Sequence, residues 1–217
     1  MIVLALYSCY GYDIIEGMFV FIDGENFRQR LADVLENEGL IQHGQYFNYD
    51  LRGLLVDLLG DNNLNIRYYS SEIRMPVGYV PSEDVRKRIE FIRNNTRRWV
   101  ARLKNQDVEY VKAGNLKVKS GKQCRKCGAI QDQLQEKGVD VRLALDILEF
   151  SMSEDVKEIA VVSSDTDICP AYHKIEKYGV KVKYICFASA LNRAVSAATN
   201  ETITITGQKA KEYLLES

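Results

Sequence analysis

Two short apolar runs that each end in acidic residues constrain the fold of this chain more than any other feature of its sequence. The run over residues 159–162 has four apolar residues in succession, which is typical of a strand buried on both faces. It is followed by Ser163 and Ser164 and then by Asp165 and Asp167, and short polar residues of these types favour the start of a helix. The sequence therefore predicts two carboxylates where a central strand passes into a helix.

The earlier run over residues 18–22 has the same design, because it ends at Asp23 and continues into a helical pattern. If the two strands are parallel in one sheet, Asp23 and Asp165 meet at its carboxyl edge, where open α/β sheets carry their sites. Carboxylates that meet repel one another and stay ionised together only beside a cation. Oxygen ligands of this kind suit Mg²⁺ or Mn²⁺. The first hypothesis is therefore an acidic metal pocket.

Strand and helix patterns alternate along the rest of the chain. Strands are predicted over residues 64–70, 108–112, 156–163, 180–187 and 202–206, and helices over about 25–38, 50–59, 83–106, 142–150, 167–178 and 189–198. This alternation predicts an α/β protein with a doubly wound, mostly parallel sheet. A length of 217 residues corresponds to one domain, or to one domain with an insertion.

The formal net charge of −1 conceals an uneven distribution of charge. Residues 67–126 contain 16 Lys and Arg against 6 Asp and Glu, whereas the rest of the chain contains 13 against 24. A basic stretch beside an acidic site points to a polyanionic partner, although two solvated faces of opposite sign are the alternative. The cations predicted to bind nucleic acid are Arg86, Arg93, Arg97, Arg98, Lys122 and Arg125.

The five cysteines do not form the pattern of a secreted disulfide protein, which favours a reducing cytoplasm. Cys124 and Cys127 form a CxxC in the basic stretch. Zinc needs four ligands, so this pair predicts a structural Zn²⁺ shared across a homodimer, a redox-sensitive pair, or two ordinary thiols. The apolar start of the chain is too short to span a bilayer, so no membrane partner is expected, and residues 1–17 are assigned to an N-terminal extension.

Other catalytic arrangements fit the sequence poorly. Neither of the two histidines lies beside an acidic motif, so a histidine base is not expected. The sequence also shows no Ser-His-Asp arrangement and no glycine-rich loop of the kind that cradles phosphates. The structural alternative for Asp165 and Asp167 is that they only cap a helix, but a cap accounts for one acid and not for the whole set.

Three motifs, taken in order, resemble the NYN domain of the LabA/DUF88 kind, which belongs to the PIN-like nuclease superfamily. They are FIDGEN at residues 21–26, EKGVDV at 136–141 and VSSDTD at 162–167. The resemblance covers about residues 18–206 and implies a three-layer PIN-like, Rossmannoid fold with a mostly parallel central sheet. Within this domain the basic, glycine-flanked insertion occupies about residues 113–130, and residues 207–217 are assigned to a C-terminal tail.

The resemblance also implies a ribonuclease that cuts RNA with Mg²⁺ or Mn²⁺. The matching site positions are Asp23, Asp140, Asp165 and Asp167, with Asn26 as the polar partner in the first motif. We expect Asp23 and Asp165 to be direct metal ligands because both follow strand ends. The two acids at helix starts are expected to bind the metal through water.

The chain departs from the family pattern at two positions. Ser164 stands where the family often has Gly, and Asn200 lies in a segment where many relatives carry Asp before the last strand. Asn200 could still orient water or metal. Two rival functions are an RNA- or protein-binding module of the same fold with little or no cleavage, and a phosphohydrolase of small phosphates. The large basic stretch disfavours the second rival, because a small substrate needs only a local grip.

Overall fold

The computed structural model of the chain describes residues 17–42, 48–74, 80, 83–119, 133–152 and 156–215. Within these ranges the strands are β1 (Met18–Asp23), β2 (Asn48–Tyr49), β3 (Leu64–Arg74), β4 (Val108–Lys119), β5 (Gln133–Lys137), β6 (Glu158–Val162), β7 (Lys181–Phe187), β8 (Glu201–Ile205) and β9 (Leu214–Leu215). The helices are α1 (Gly24–Asn37), α2 (Leu51–Leu59), α3 (Glu83–Asn105), α4 (Val139–Ser151), α5 (Cys169–Glu176), α6 (Arg193–Ala197) and α7 (Gly207–Glu212). Short 3₁₀ turns cover Thr166–Ile168 and Ala188–Ala190.

A seven-stranded sheet with the order β5-β4-β3-β1-β6-β7-β8 forms the centre of the fold. Its neighbouring strands are parallel, except that β5 is antiparallel to β4. The central strand β1 pairs with β3 on one side and with β6 on the other, and five of its six residues are buried. The prediction of an α/β fold with a mostly parallel sheet is therefore confirmed.

Helices cover both faces of this sheet, which gives the three layers that were expected. Val20 and Ile22 face a core built with α1, α2 and α3, whereas Phe19 and Phe21 face a core built with α4 and α5. Successive residues of β1 contribute to opposite cores because side chains alternate along a strand. The two acid-bearing strands β1 and β6 are adjacent and parallel, so their carboxyl ends lie side by side.

The sheet extends further on one side than the sequence predicts. The predicted strand over residues 108–112 continues to Lys119 and pairs in antiparallel register with β5, so the predicted basic insertion over about 113–130 begins inside the sheet. β3 is also longer than predicted and accompanies β4 as far as Arg74, with a register shift between Ser70 and Ser71. The residue preferences along the sequence could not reveal this extension, because the extra residues of β3 and β4 are held in the sheet by hydrogen bonds to the neighbouring strands.

Residues 207–215, within the predicted C-terminal tail, form α7 and β9. β9 pairs in antiparallel register with β2, and Nζ of Lys209 forms ion pairs with Asp57 of α2 and with Glu212. Tyr213 donates a hydrogen bond from its hydroxyl to Asp57 (2.8 Å). This segment is therefore fastened to α2. No described helix is long and apolar enough to cross a membrane.

Candidate active site

Asp23 is the last residue of β1 and also caps α1. Its Oδ1 accepts a hydrogen bond from the backbone N–H of Asn26 (3.1 Å), and its Oδ2 accepts one from Oγ of Ser163 (3.2 Å). The residue is 7% exposed. Burial raises the pKa of the Asp23 carboxyl to about 6, and the negative charges of Asp140 and Asp165 add to this increase. The surroundings of Asp23 thus disfavour the ionised form of its carboxyl.

Asp165 lies just beyond the end of β6, beside the end of β1. Its Oδ1 accepts a hydrogen bond from the backbone N–H of Asp167 (2.9 Å), so it caps the 3₁₀ turn that follows. The backbone N–H of Asp165 donates to Oγ of Ser163 (3.2 Å), and the same hydroxyl donates to Asp23. One buried serine therefore connects the acidic ends of two neighbouring strands. Asp167 is exposed.

Asp140 reaches the same edge of the sheet from the first turn of α4. It is half-buried, and burial together with the charges of Asp165 and Asp167 raises the pKa of its carboxyl. Acids from three distant parts of the sequence thus act on one another's surroundings: the charges of Asp140 and Asp165 act on Asp23, and those of Asp165 and Asp167 act on Asp140. Each of these acids lies where a strand ends or a helix begins. The parallel strands of a doubly wound sheet bring such junctions to one edge, which is why the acids meet there.

A buried polar network fixes α4 against β3. Asp146 of α4 is 1% exposed, and its Oδ2 accepts a hydrogen bond from the hydroxyl of Tyr69 (2.8 Å). Its Oδ1 pairs with Nε of Arg142 (2.7 Å). Tyr69 lies directly opposite Asp23 in the register of β1 and β3. This network therefore sets the position of the first turn of α4 relative to the edge where Asp23 lies.

The structure adds a fifth carboxylate, Glu136, which begins the EKGVDV motif but was not among the predicted site residues. Glu136 is half-buried on β5 and accepts a hydrogen bond from Oγ of Ser71 (3.1 Å). Burial raises the pKa of the Glu136 carboxyl to about 6, with further contributions from the charges of Glu25, Asp23 and Asp140. The signal in the sequence was its place four residues before Asp140, but only the pairing of β5 with β4 brings it to the site.

The loop after β7 supports the segment that carries Asp165. Nδ2 of Asn192 donates a hydrogen bond to the backbone oxygen of Ser164 (2.9 Å), and its Oδ1 accepts one from the N–H of Ala194 (2.9 Å). The hydroxyl of Ser164 lies 2.9 Å from that of Tyr184 and donates to the backbone oxygen of Ala190 (3.1 Å). Ser164, at the position where the resemblance often implies Gly, is therefore held by hydrogen bonds to Tyr184 and Ala190. Sequence patterns give no signal for these long-range contacts.

Gly24 is required by the close packing between α1 and β3. A Cβ atom there would overlap the ring of Tyr68 and lie 2.5 Å from the backbone oxygen of Tyr69. The hydroxyl of Tyr68 donates a hydrogen bond to the backbone oxygen of Gly24 (2.6 Å). The start of α1, with Asp23 before it, is therefore held by a tyrosine in direct contact with the backbone.

The structure describes some of the remaining residues that were suggested for the site, and others lie outside the described ranges. Arg86, Arg93, Arg97 and Arg98 are exposed on α3, and half-buried Asn26 lies in the first turn of α1. Asn200 was considered as a site residue, but this suggestion is wrong: its Oδ1 accepts a hydrogen bond from the N–H of Val182 (2.8 Å) near the start of β7, at the opposite edge of the sheet. Lys122, Cys124, Arg125 and Cys127 lie outside the described residues.

Within the described part of the chain, no group of three or more His, Cys, Asp or Glu side chains has an arrangement that could hold a metal ion. The acids nevertheless share one environment. Asp23, Glu136 and Asp140 all have a raised pKa, and in each case burial is the largest cause and neighbouring carboxylates contribute. The site is therefore an anionic cluster whose members favour either protons or a cation.

The raised pKa of Asp23 predicts a pH dependence of stability in EDTA. Because this carboxyl has a pKa of about 6 when folded and 3.8 as its ordinary value, the folded state binds the proton more tightly. The free energy of unfolding should therefore fall as the pH rises from about 4 to about 6, by about 2 kcal/mol from this group. Asp23→Asn should remove that decrease and be more stable than wild type at neutral pH.

Urea unfolding at several pH values across this range measures the effect. Asp33→Asn, at an exposed carboxylate on α1, is the control and should follow the wild-type curve. Parallel curves for wild type and Asp23→Asn would contradict the prediction.

Comparison with known proteins agrees with this architecture. The crystal structure of a protein of unknown function from Vibrio parahaemolyticus is similar, with a TM-score of 0.51 and 17% sequence identity over 91% of this chain and 95% of that chain. At this identity the likeness shows the fold alone. No curated protein is a significant match to the chain. The sequence profile of the NYN domain matches residues 18–206, and the chain therefore belongs to the NYN domain family of the PIN-like nuclease superfamily.

Proposed function

We propose that this protein is a divalent-metal-dependent ribonuclease that hydrolyses RNA phosphodiester bonds at the acidic edge of the sheet. The observation that carries the proposal is that acids from three distant parts of the chain meet at one edge of the sheet. Ser163 connects Asp23 to the segment of Asp165, and the charges of Asp140 and Asp165 both act on the carboxyl of Asp23. Helix capping alone accounts for the hydrogen bonds of Asp23 and Asp165 but gives Asp140 no reason to lie beside them. NYN domains are generally nucleases, which supports the same conclusion.

The chemistry of the donor set fits Mg²⁺ or Mn²⁺, which PIN-like nucleases usually use. Asp23 and Asp165 would be direct ligands, and Asp140 and Asp167 would bind through water. A bound ion neutralises phosphate charge and lowers the pKa of a water molecule. Ser163 donates a hydrogen bond to the carboxylate of Asp23 and accepts one from the backbone N–H of Asp165, so it ties the two segments together. Glu136 adds a fifth negative group that is itself held by Ser71.

The basic helix α3 supplies a grip for RNA beside these acids. Trp99 packs on Tyr68, which lies at the level of the end of β1 (ring centroids 6.0 Å apart). Since α3 connects two parallel strands, it runs antiparallel to them, and residues 83–98 extend past this level by roughly 24 Å. Arg86, Arg93 and Arg97 are exposed on this extension. Such a row of cations gives salt-dependent, mostly sequence-independent affinity for phosphates.

Replacing Arg86, Arg93 and Arg97 together by Ala should weaken RNA binding at low salt by about tenfold or more. The slope of log K against log salt should become shallower by about two to three units, because up to three phosphate contacts are lost. Fluorescence anisotropy of a labelled RNA over a salt series measures both quantities.

The matched control for these arginines replaces Lys174, Lys177 and Lys181 by Ala. These lysines are equally exposed but lie at the end of α5 and the start of β7, at the opposite edge of the sheet. Equal losses in the two triple variants would contradict the assignment of the grip to α3.

A binding module of the same fold is the second candidate, and one observation favours it: the described acids do not have a ready-made metal-holding arrangement. A nuclease assay separates the two candidates. Purified protein is incubated with a mixed panel of single-stranded and structured RNAs in Mg²⁺ or Mn²⁺, with and without EDTA. Cleavage that EDTA abolishes supports the ribonuclease, whereas intact RNA with salt-sensitive binding supports the module.

A further inference from the structure

The outer face of α4 carries an apolar stripe of three exposed residues and of Leu148, which is partly buried against the core beneath the helix. Val141, Leu145 and Met152 are 65%, 57% and 61% exposed, and partly buried Leu148 lies between them. We call these four residues the outer seam. Three of the four are among the eight large apolar residues that are exposed in the described part of the chain, and these three lie within a stretch of twelve residues. Scattered exposed apolar residues are ordinary, but a continuous stripe marks an interaction surface.

The three exposed residues of the outer seam point away from the core of their own protein, whereas Leu148 also contacts that core. Val139, Leu143 and Ile147 are the residues with which α4 packs on the sheet. At about 100° per residue, the outer seam lies on the opposite side of the helix from these positions. Its spacings of four, three and four residues are those of the d, a, d and a positions of a coiled-coil heptad. The pattern therefore fits another helix rather than a flat surface.

We propose that the outer seam docks on the same helix of a second copy of this chain, in antiparallel orientation about a twofold axis. In this register Val141 faces Met152 of the second copy, and Leu145 faces Leu148 of the second copy. The flanking e positions are then Arg142 and Glu149, which face each other across the pair and carry opposite charges. Nε of Arg142 stays on Asp146 of its own helix (2.7 Å), so the terminal nitrogens of the guanidinium would pair with Glu149 of the second copy. Both are exposed at the surface. The twofold symmetry forms this ion pair twice.

A parallel pair does not have this complementarity. There the e positions face the g positions, which are Ala144 and Ser151, so Arg142 and Glu149 would have no opposite charge across the interface. The sequence of α4 is thus self-complementary only in the antiparallel arrangement. Because Asp140 begins the helix, the two acidic clusters would be separated by roughly 20 Å along the helix pair and would face opposite ends of the dimer. This inference does not depend on the proposed nuclease activity.

Sedimentation velocity of the full chain from about 1 to about 200 µM tests the proposal. The wild type should change reversibly from monomer to dimer within this range, because a seam of about two heptads is a small interface. Leu145→Glu should weaken the dimer by at least tenfold, since it places two charges in the apolar layer. Glu149→Arg should also weaken it, because it sets two arginines against each other.

Two matched controls accompany these variants. Leu40→Glu places a charge at another exposed apolar residue, and Glu176→Arg makes the same charge reversal on the neighbouring α5. Both should dimerise like wild type, and circular dichroism should show that all four variants are folded. A wild type that stays monomeric over the whole range overturns the proposal. So does a dimer that Leu145→Glu and Glu149→Arg leave intact, which would mean that another surface forms it or that another segment occupies the outer seam.

Discussion

Asp165→Asn should lower RNA cleavage by at least about a hundredfold while the protein stays folded. Asn caps helices as well as Asp does, so the hydrogen bond to the N–H of Asp167 and the local turn should survive the change. What is lost is the negative charge that, in the proposed mechanism, helps to hold the metal beside Asp23. The initial rate of cleavage of a labelled RNA in Mn²⁺, compared at equal protein concentration, measures the effect.

The matched control for this variant is Asp33→Asn, which removes one exposed carboxylate from α1 and should cleave like wild type. Thermal unfolding should show that both variants are folded. Undiminished cleavage by Asp165→Asn would place the chemistry elsewhere. Retained RNA binding with lost cleavage would support a direct role for Asp165 in the reaction rather than in affinity.

Gly24→Ala should destabilise the protein by about 2 to 4 kcal/mol. At an ordinary first helical position this change is mildly stabilising, because it reduces the entropy of the unfolded chain. Here the added methyl would overlap the ring of Tyr68 and crowd the backbone oxygen of Tyr69, so either α1 or β3 has to move. Since Asp23 is the residue before Gly24, cleavage should also decline. Urea unfolding and the cleavage assay measure the two effects.

Gly207→Ala is the control for Gly24→Ala. Gly207 also begins a helix, but its added methyl would meet the flexible end of Glu38 at 3.2 Å and touch Val34 at an ordinary 3.8 Å. Its free energy of unfolding should stay within about 0.5 kcal/mol of wild type. Equal stability of the two variants would mean that the contact between Tyr68 and Gly24 can relax at little cost.

Much of the architecture could be predicted because its signals are local. The apolar runs that became β1 and β6 are continuous and end at acids, so both the parallel sheet and its acidic carboxyl edge follow from residues that are neighbours in the sequence. The family resemblance is confirmed by the match over residues 18–206. The roles of the four aspartates stay predictions, although the charges of Asp140 and Asp165 contribute to the raised pKa of Asp23.

Other parts of the site could not be predicted because they depend on pairing between distant segments. Glu136 joins the acids only because β5 returns along an extended β4, and Asn192 supports Ser164 across a gap of 28 residues. The opposite holds for Asn200, which could have oriented water or metal at the site but lies just before β8 and binds the backbone N–H of Val182 near the start of β7. In each case the deciding contact lies across the sheet and leaves no periodic pattern.

The contact between Trp99 and Tyr68 also has a spectroscopic consequence. Trp99 is the only tryptophan of the chain and is 6% exposed, so the tryptophan fluorescence of the protein comes from a single buried indole. Its neighbour Tyr68 binds the backbone of Gly24, one residue from Asp23. The emission of the unlabelled protein therefore reports on the junction between the basic helix and the acidic edge, where RNA and a cation would each act.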